Sequence, residues 1–489
     1  MFFKHRVFPL FLCLAVSAWA ADDLDARMKS VMNAFALIES NAADPVSSEQ
    51  VFYTGAIPGL LRTLDPHSIF FDPGQFEQVR RMESSTQKGF GSVVSLLPGR
   101  VIILQTSPGT PSQKAGLSPG DDIVAVNGYV IAQLEVEQIA ELLSQSRQQQ
   151  VQLDVRRPGA LRIMHFTLTP EEMQAPSVDR AYMLRDGVGY VRVASFDEKT
   201  GDQIKEAVEK LGGEKLKALV LDLRNNPGGV VAAALQTAGL FLKPGQKIFS
   251  IKGRNVPEKA EAVPDSATPY GFKMAVLING KTASASEIVT GALQDHDRAM
   301  VLGEPSYGKG LVQNVFPLSQ GTGLALTIAL YYTPSGRSIQ KPLDAAYELG
   351  ATTTHLNGQA EFKTDAGRKV TGGGGIQPDI VVYPEGADRL RMVLDASGSF
   401  PTFAAEYLQT HKIEQNFEVT PQLLDQLHAW LAEHRIQPSV RDWTTDQDFI
   451  TSRLKTELFN QAFGVEQGDQ IEAQRDPVIL KALETFGAR

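Results

Sequence analysis

The most informative stretch of this chain reads Met274-Ala-Val-Leu-Ile-Asn-Gly-Lys-Thr-Ala-Ser284-Ala-Ser-Glu-Ile-Val-Thr-Gly-Ala-Leu293. Its first five residues are continuously apolar, as in a strand that is buried on both faces of a sheet. A tight connection, Gly280–Ala283, follows, and Ser284 then opens a segment whose apolar residues recur at helical spacing. A buried strand that leads directly into an amphipathic helix is the repeating unit of an α/β layer fold.

The same alternation of apolar runs and amphipathic segments extends over residues 173–385. The predicted strands are Val188–Val193, Ala218–Leu223, Lys247–Ile251, Met274–Ile278, Ala299–Leu302 and Leu324–Tyr332, and the predicted helices are Thr200–Leu211, Val230–Phe241 and Ser286–Gln294. Only residues 341–375, which are polar and Gly-rich, predict a surface loop. We therefore predict an α/β core over residues 173–385.

Three other regions surround this predicted core. Residues 85–172 contain short β-type runs separated by Pro-Gly and Asn-Gly turns, with one helix at Leu134–Ser144, and predict an inserted, mainly β module. Residues 21–84 and 386–489 show helical spacing and predict helical N- and C-terminal regions. The predicted fold class is thus multidomain α/β (α+β), with an inserted β module and helical ends.

The first twenty residues have the pattern of a secretory signal. Lys4 and Arg6 precede the apolar run Val7–Val16, and Ala18-Trp19-Ala20 matches a cleavage site. An uncleaved anchor helix is the alternative, but the run is shorter than the roughly 20 residues needed to cross a bilayer. We therefore predict a signal peptide over residues 1–20 and a periplasmic location, with membrane association only through a partner.

Cysteine usage and charge exclude several kinds of chemistry. The only cysteine, Cys13, lies inside the predicted signal, and lipidation is not expected because Leu12 stands where a small residue would be needed. The exported chain then has neither disulfides nor a thiol nucleophile, which suits a bacterial envelope. The net charge of −9 with no basic block argues against nucleic acid as the partner. We find no paired metal-ligand spacing, so we predict neither a metal nor a cofactor.

A serine at the strand-to-helix turn is the first candidate for chemistry. The hydroxyl of Ser284 is presented there at the edge of the sheet, and N–H groups at the helix N-terminus point toward any developing negative charge. The competing interpretation is structural, because Ser284 or Ser286 can cap the helix with Glu287 in its first turn. Taken alone, the pattern favours the cap.

A second Gly-rich segment, Gly303-Glu-Pro-Ser-Tyr-Gly-Lys309-Gly310, shifts the interpretation toward catalysis. A lysine can accept a proton only when it is neutral, which requires burial or neighbouring cations to lower its pKa. A tight glycine loop at a sheet edge could bury Lys309 in this way, whereas a lysine in such a loop is otherwise simply solvated. Gln313, four residues further on, could hold the amine by hydrogen bonding without adding a charge.

The third segment is Asp222-Leu-Arg-Asn-Asn-Pro-Gly228-Gly229, which also follows a predicted strand. Paired glycines let backbone N–H groups approach a substrate closely, as an oxyanion hole requires. A plain turn fixed by an ion pair between Asp222 and Arg224 is the alternative. Because ligand sites in α/β folds gather at strand ends, we expect Ser284, Lys309 and the two glycines to lie near each other.

A histidine could serve as the base instead of the lysine. His67, in the turn Asp65-Pro-His-Ser68, is the best histidine candidate for a Ser-His hydrolase, against the alternative of a structural turn residue. His296 is near Ser284 in sequence but lies at the far end of the same predicted helix, roughly 15 Å away at about 1.5 Å per residue.

The inserted β module carries the segment Gly89-Phe90-Gly91-Ser92. A Gly-aromatic-Gly loop leaves backbone N–H groups free to bind the terminal carboxylate of a peptide, and the next strand edge can accept the peptide as an added strand. Together with Gly116–Gly128 and the predicted helix, this segment closely resembles a PDZ domain over the whole module. We predict that residues 89–92 bind substrate tails; a β module without a ligand is the alternative.

The complete set of motifs resembles the carboxyl-terminal processing protease family, the tail-specific proteases. The matching segments are Leu64–Ser68, Asp222–Gly229, Thr282–Ile288, Gly308–Gln313, Tyr331–Gln340 and Gly375–Asp379, together with the PDZ module. The resemblance covers residues 55–385. One departure lies at residues 341–374, which separate two motifs that family members usually carry almost together.

This resemblance assigns roles to particular residues. It implies that the nucleophile is the first serine, Ser284, with Lys309 as general base and Gln313 as its orienter. It also implies an oxyanion hole formed by the N–H groups of Ala285 and of the Gly228-Gly229 turn. In such enzymes the PDZ domain binds substrate C-termini and gates the active site.

Fold and motifs together predict a serine endopeptidase of the bacterial envelope, in which an α/β protease core carries an inserted PDZ domain. Its expected partners are proteins or peptides with exposed C-termini, an activating adaptor protein, and further copies of the chain bound through the helical ends. Two alternatives stay open: a non-catalytic PDZ peptide-binding scaffold, and a Ser-His hydrolase that uses His67.

Overall fold

The computed structural model describes residues 12–44, 47–83, 86–147, 149–174, 176–341, 361–384, 386 and 388–487. The first part of the predicted signal, residues 1–11, and most of the predicted loop, residues 342–360, lie outside this set. No helix among the described residues is long and apolar enough to cross a membrane. The chain divides into two compact units, the smaller built mainly from residues 1–74 and 315–326.

Helices dominate the smaller unit. They span Leu12–Asn41, Ser48–Gln50, the π-helical stretch Val51–Ala56, and Ile57–Arg62, in agreement with the helical spacing of residues 21–84. Phe35 of the first helix packs against Phe52, with ring centroids 5.2 Å apart. The short strand Ile69–Phe71 pairs antiparallel with the start of the strand Gly323–Tyr332. On the first helix, Leu24, Met28, Val31, Met32 and Ile38 are exposed.

The β module forms a six-stranded antiparallel sheet packed around its own core. The strands are Ser92–Leu97, Arg100–Thr106, Asp122–Val126, Tyr129–Val130, Val151–Arg156 and Met164–Leu168; the helices are Pro111–Ala115, Ile131–Gln133 and Val136–Ser146; and Thr86–Gly89 pairs with Glu171–Gln174 outside the sheet. Val101, Ile103 and Ile139 lie fully buried in the core cluster. The strand Ser92–Leu97 is at the edge of the sheet, so one side of its backbone can accept another strand.

A six-stranded sheet forms the centre of the α/β core. Its strands lie in the order Val178–Arg185, Val188–Val193, Ala218–Asp222, Lys273–Ile278, Met300–Gly303 and Ile380–Val381, and all neighbours except the first pair are parallel. The helices Thr200–Lys210, Val231–Gly239 and Ala285–Asp295 follow the strands as predicted, and a short 3₁₀ helix, Gly213–Lys215, follows the first of them. Fully buried side chains such as Leu221, Val276 and Val289 pack these helices against one face of the sheet.

The C-terminal end of the chain covers the opposite face of this sheet. Val478, Ile479 and Ala482 of the helix Pro477–Gly487 pack in one cluster with strand residues that include Val220. The last helix therefore completes the core, and oligomerisation through the C-terminal region stays a prediction. A parallel sheet needs both faces covered, and here the helix Pro477–Gly487 covers the second face.

Two of the predicted core strands belong to a second sheet and not to the central one. The strand Lys247–Lys252 pairs antiparallel with Lys259–Ala262 and with the end of Gly323–Tyr332, and the strand Leu311–Pro317 also pairs with Gly323–Tyr332. The interpretation of Lys247–Ile251 and Leu324–Tyr332 as members of one alternating α/β layer was therefore wrong. A continuous apolar run indicates a buried strand but does not encode its partner.

The end of the predicted surface loop is also more structured than expected. Glu361–Lys363 and Lys369–Thr371 form an antiparallel hairpin in which Val370 is buried. The N–H of Asp365 donates to the carbonyl of Asp295 at 2.8 Å, so the hairpin is tied to the core. The hairpin was not predicted because polar and glycine-rich composition does not reveal long-range hydrogen bonds of this kind.

The C-terminal helices also contact the β module. They span Arg389–Ala396, Ser399–Thr410, Pro421–Glu433, Val440–Thr445, Gln447–Phe463, Val465–Ala473 and Pro477–Gly487. Arg100 of the module donates to the carbonyl of Ser397 at 3.2 Å, and the N–H of Val465 donates to Oε1 of Gln105 at 2.9 Å. The C-terminal region therefore joins the module to the core sheet.

Candidate active site

Three neighbouring strands of the core sheet lead into the predicted catalytic segments. The strands Ala218–Asp222, Lys273–Ile278 and Met300–Gly303 are parallel and adjacent, so their carboxyl ends meet at one edge. The glycine pair, Ser284 and Lys309 follow these strands in turn. The expectation that the three Gly-rich segments belong to adjacent strand ends of one sheet is therefore confirmed.

Ser284 occupies a strained position at the head of the helix Ala285–Asp295. Its φ and ψ are 55° and −118°, a conformation that costs a non-glycine residue on the order of 1–3 kcal/mol and persists only where the surroundings impose it. Ser284 is partly exposed, whereas Ser286 is fully buried and its hydroxyl donates to the carbonyl of Asn226 at 3.2 Å. Ser284 is therefore accessible at the N-cap of the helix, as the cap interpretation predicted, whereas Ser286 is held inside the core.

The glycine turn lies directly against Ser284. A Cβ at Gly228 would lie 2.8 Å from Cβ of Ser284 and 2.8 Å from the backbone nitrogen of Ala285, so only glycine fits there. Gly228 has φ +94° and Gly229 has φ +141°, which other residues rarely adopt. The backbone conformation of this turn therefore requires glycine at both positions.

The two glycines differ in what their N–H groups can do. The N–H of Gly228 donates to Oδ1 of Asn226 at 2.9 Å, so it is already engaged. Within the described residues, the N–H groups of Gly229 and Ala285 donate to no other group. Of the three predicted oxyanion-hole residues, Gly228 therefore provides close approach, while Gly229 and Ala285 retain donors.

The start of the glycine turn is held by an ion pair, as the structural alternative predicted. Arg224 contacts Asp222 at 2.6 Å and reaches Asp476 of the C-terminal region at 2.6 Å. Asp222 also accepts from the hydroxyl of Tyr190 at 2.8 Å. Burial raises the pKa of Tyr190 well above its ordinary value, so the phenol stays protonated and keeps donating. This ion pair fixes the loop and does not compete with a catalytic role for the glycines.

A single buried carboxylate connects the serine and lysine segments. Oε2 of Glu287 accepts from the backbone N–H groups of Ser284 and Lys309, each at 2.9 Å, so the two nitrogens are at most twice that distance apart. Oε1 accepts from the N–H of Gly308 at 2.8 Å and from the hydroxyl of Ser306 at 2.5 Å. Burial raises the pKa of the Glu287 carboxyl, and these four hydrogen bonds oppose the rise.

The lysine segment has further anchors. The N–H of Gly310 donates to Oε1 of Gln340 at 2.9 Å, and its carbonyl accepts from the N–H of Tyr331 at 2.8 Å. Lys309 is partly exposed, and Gln313 lies partly exposed on the strand Leu311–Pro317. The backbone on both sides of Lys309 is thus held rigidly while its side chain remains accessible.

The histidine candidates have different surroundings. Both ring nitrogens of His296 are engaged at 2.7 Å, Nδ1 with Asp365 and Nε2 with the carbonyl of Lys247, so this residue is structural. His67 belongs to the smaller unit, in a turn closed by Oδ1 of Asp65, which accepts from the N–H groups of His67 and Ser68 at 2.8 Å. A catalytic role for His67 stays a prediction.

The predicted peptide-binding loop of the β module is ordered by a few hydrogen bonds. The carbonyl of Phe90 accepts from the N–H of Ser112 at 2.9 Å, and the carbonyl of Gly91 accepts from Ser107 at 2.8 Å. The hydroxyl of Ser92 donates to that of Ser112 at 2.6 Å. Gly91 has φ +78°, and Gly89 ends the preceding strand. The loop therefore lies directly before the edge strand Ser92–Leu97.

Sequence reasoning missed two residues that organise the site. Glu287 was taken only as a first-turn acid, although a serine followed three residues later by glutamate is a known capping pattern that could have singled it out. Asn226 is fully buried, receives the N–H of Gly228, and donates through Nδ2 to the carbonyl of Val193 at 2.7 Å. Its role depends on contacts across the fold, for which the sequence offers no local signal.

Comparison with known proteins agrees with this geometry. The chain matches the model of peptidase family S41 over residues 187–348 and the model of the PDZ domain over residues 102–157. It is 36% identical over 304 residues to the carboxy-terminal-processing protease of Bartonella bacilliformis, covering 60% of this chain and 68% of that protein. It is 33% identical over 326 residues to the chloroplastic carboxyl-terminal-processing peptidase 2 of Arabidopsis thaliana, covering 64% of this chain and 61% of that protein.

Among solved structures, the photosystem II D1 C-terminal processing protease shares 26% identity and a TM-score of 0.41, covering 71% of this chain and 86% of that chain. The family resemblance and the mixed α/β fold class inferred from the sequence are confirmed by the family matches and the sheet topology. The chain belongs to peptidase family S41, as one of the PDZ-containing carboxyl-terminal processing proteases, which are serine-type peptidases.

Proposed function

We propose that this chain is an endopeptidase that cleaves proteins at or near their C-terminal tails through a dyad of Ser284 and Lys309. The observation that carries the proposal is the shared contact of both residues with one carboxylate oxygen of Glu287, at 2.9 Å from each backbone nitrogen. This contact supports a short separation between the two segments, as proton transfer from the hydroxyl to the amine requires.

The proposed reaction proceeds through an acyl-enzyme. Oγ of Ser284 attacks the carbonyl carbon of the scissile bond while the neutral amine of Lys309 accepts the hydroxyl proton. The C–N bond then breaks as Lys309 returns this proton to the leaving amine, which leaves an ester on Ser284. Water attacks the ester and gives a proton to Lys309, and the new carboxyl product departs as Ser284 regains its proton.

Backbone donors and an amide complete the proposed machinery. The N–H groups of Ala285 and Gly229 stabilise the tetrahedral oxyanion, and Gly228 lets the chain approach closely enough for them to do so. Gln313 orients the amine of Lys309. Gln313 lies on the strand Leu311–Pro317, which begins two residues after Lys309.

The PDZ domain is proposed to bind substrate C-termini and to gate access. The edge strand Ser92–Leu97 supports this role, because a peptide can add to it with its carboxylate near the loop Gly89–Gly91. The envelope location and an activating adaptor remain proposals from the sequence. Self-association is proposed through the N-terminal helix, whose exposed Leu24, Met28, Val31 and Ile38 recur at coiled-coil spacing.

Site-directed variants test the proposal directly. Ser284→Ala and Lys309→Ala should each reduce hydrolysis of an unstructured peptide to background, while circular dichroism and the thermal midpoint show that both variants fold. Near-normal turnover in Lys309→Ala would exclude the dyad. Loss of activity in His67→Ala equal to that in Lys309→Ala would favour the Ser-His hydrolase, and peptide binding without turnover by the wild type would favour the scaffold.

A further inference from the structure

Glu287 is the residue at which the serine and lysine segments of the site meet. Its side chain is fully buried, and its two carboxylate oxygens accept hydrogen bonds from Ser284, Ser306, Gly308 and Lys309. Three of these four donors are backbone N–H groups. The carboxylate therefore fixes main-chain positions, which set where the side chains of the dyad begin.

The set of donors requires an ionised carboxylate. A protonated carboxyl group would direct a hydrogen toward one of four groups that act as donors here. Only the hydroxyl of Ser306 could reverse its role, but its oxygen already accepts from the N–H of Ile376 at 2.6 Å. Hydrogen bonds to a charged acceptor are shorter and roughly twice as strong as neutral ones, which offsets the cost of burying the charge.

We propose that Glu287 is a positioning residue for the reaction, which holds the strained backbone of Ser284 and the Lys309 segment in the geometry needed for proton transfer. The inference rests on the proposed dyad and adds the element that aligns it. The strain at Ser284, with φ 55°, persists because its N–H is held by Oε2 of Glu287. Without this acceptor, the Ser284 turn and the Lys309 segment lose their common anchor.

Replacement of the carboxylate by an amide tests the role. In Glu287→Gln, one carboxylate oxygen becomes an NH₂ group, which cannot accept a hydrogen bond. Whichever oxygen is replaced, the two donors that it faced lose their acceptor. A displacement of about 1 Å at a catalytic group costs on the order of 100-fold in rate, so we expect kcat to fall by about that factor with little change in KM. The rate of Ser284 labelling by a fluorophosphonate should fall in parallel.

A matched control separates positioning from stability. Glu457 is also a buried glutamate, 6% exposed, and accepts from Arg453 at 3.3 Å and Asn460 at 3.2 Å within the C-terminal helices. Glu457→Gln removes a buried carboxylate far from the dyad in sequence, so it should leave kcat and the labelling rate unchanged. A second variant, Ser306→Ala, removes one donor and keeps the carboxylate, so it should fold and lower kcat less than Glu287→Gln does.

Three outcomes distinguish failure of the positioning role of Glu287 from failure of the Ser284–Lys309 dyad. If Glu287→Gln keeps kcat within about twofold of the wild type while Ser284→Ala is inactive, the positioning role is wrong and the dyad stands. If Glu287→Gln fails to fold, Glu287→Asp and Ser306→Ala decide, and wild-type kcat in both would overturn the role. If Ser284→Ala keeps its activity, the proposed function itself fails.

Discussion

Substitution of Gly228 by alanine should stop catalysis without unfolding the protein. The added Cβ would lie 2.8 Å from Cβ of Ser284 and 2.7 Å from the carbonyl oxygen of Ala283. Optimal contact between carbon atoms is about 3.5–4.0 Å, so the turn and the serine must separate by about 0.7 Å or more. Because a displacement of about 1 Å costs on the order of 100-fold in rate, kcat should fall by one to two orders of magnitude.

The backbone of Gly228 adds a second cost that a control can isolate. Its φ is +94°, and holding alanine there costs on the order of 1–3 kcal/mol. Gly245 has φ +79° but no atom within 4 Å of the position where its Cβ would lie. Gly245→Ala therefore carries the backbone strain without the clash, and it should lower stability while leaving kcat unchanged.

The assay compares kcat for peptide hydrolysis and the free energy of unfolding in Gly228→Ala, Gly245→Ala and the wild type. We expect similar losses of stability in the two variants and a loss of kcat only in Gly228→Ala. Wild-type kcat in Gly228→Ala would refute the close approach of the glycine turn to Ser284. An equal loss of kcat in Gly245→Ala would show that general strain, and not the clash, reduces the rate.

Three further predictions concern stability. Arg337 and Asp295 form a fully buried ion pair at 2.7 Å. Arg337→Met leaves the Asp295 charge buried without this partner, so the free energy of unfolding measured in urea should fall by about 3–5 kcal/mol. A change below about 1 kcal/mol would contradict this. Gly398 has φ +64°, a conformation that strains any residue with a Cβ, so Gly398→Ala should lower the free energy of unfolding by about 1–3 kcal/mol. Unchanged stability would contradict this. Burial raises the pKa of Glu457 above its ordinary value of 4.5. Its contribution to the free energy of unfolding is therefore fully present below pH 4.5 and is lost as the pH rises through the pKa of the folded state. The thermal midpoint of Glu457→Gln relative to wild type should therefore increase between pH 4.5 and neutral pH, and a decrease would contradict the sign.

Local features of the site could be predicted from the sequence because they depend on nearby residues. The strand, turn and helix around Ser284 follow from an apolar run, a tight connection and helical spacing. The approach of the glycine turn and of Lys309 follows from the rule that ligand sites gather at strand ends. The strands Ala218–Asp222, Lys273–Ile278 and Met300–Gly303 do lie side by side in the sheet.

Features that depend on long-range contacts were not predictable. The pairing of Lys247–Lys252 with Gly323–Tyr332 joins residues about eighty positions apart, and an apolar run does not specify that partner. The packing of Pro477–Gly487 on the core sheet was hidden for the same reason, because an amphipathic helix shows that it has a buried face but not what covers it. Glu287 was predicted only as an acidic residue of the first helical turn, because its contacts with Gly308 and Lys309 cross more than twenty positions.

The identity of the nucleophile is the central claim, and mass spectrometry of the labelled protein tests it most directly. After reaction with a fluorophosphonate, fragmentation of the peptide that contains residues 282–298 should place the adduct on Ser284. Ser286→Ala should retain the adduct, and Ser284→Ala should lose it. An adduct on Ser286, or labelling that survives in Ser284→Ala, would contradict the account.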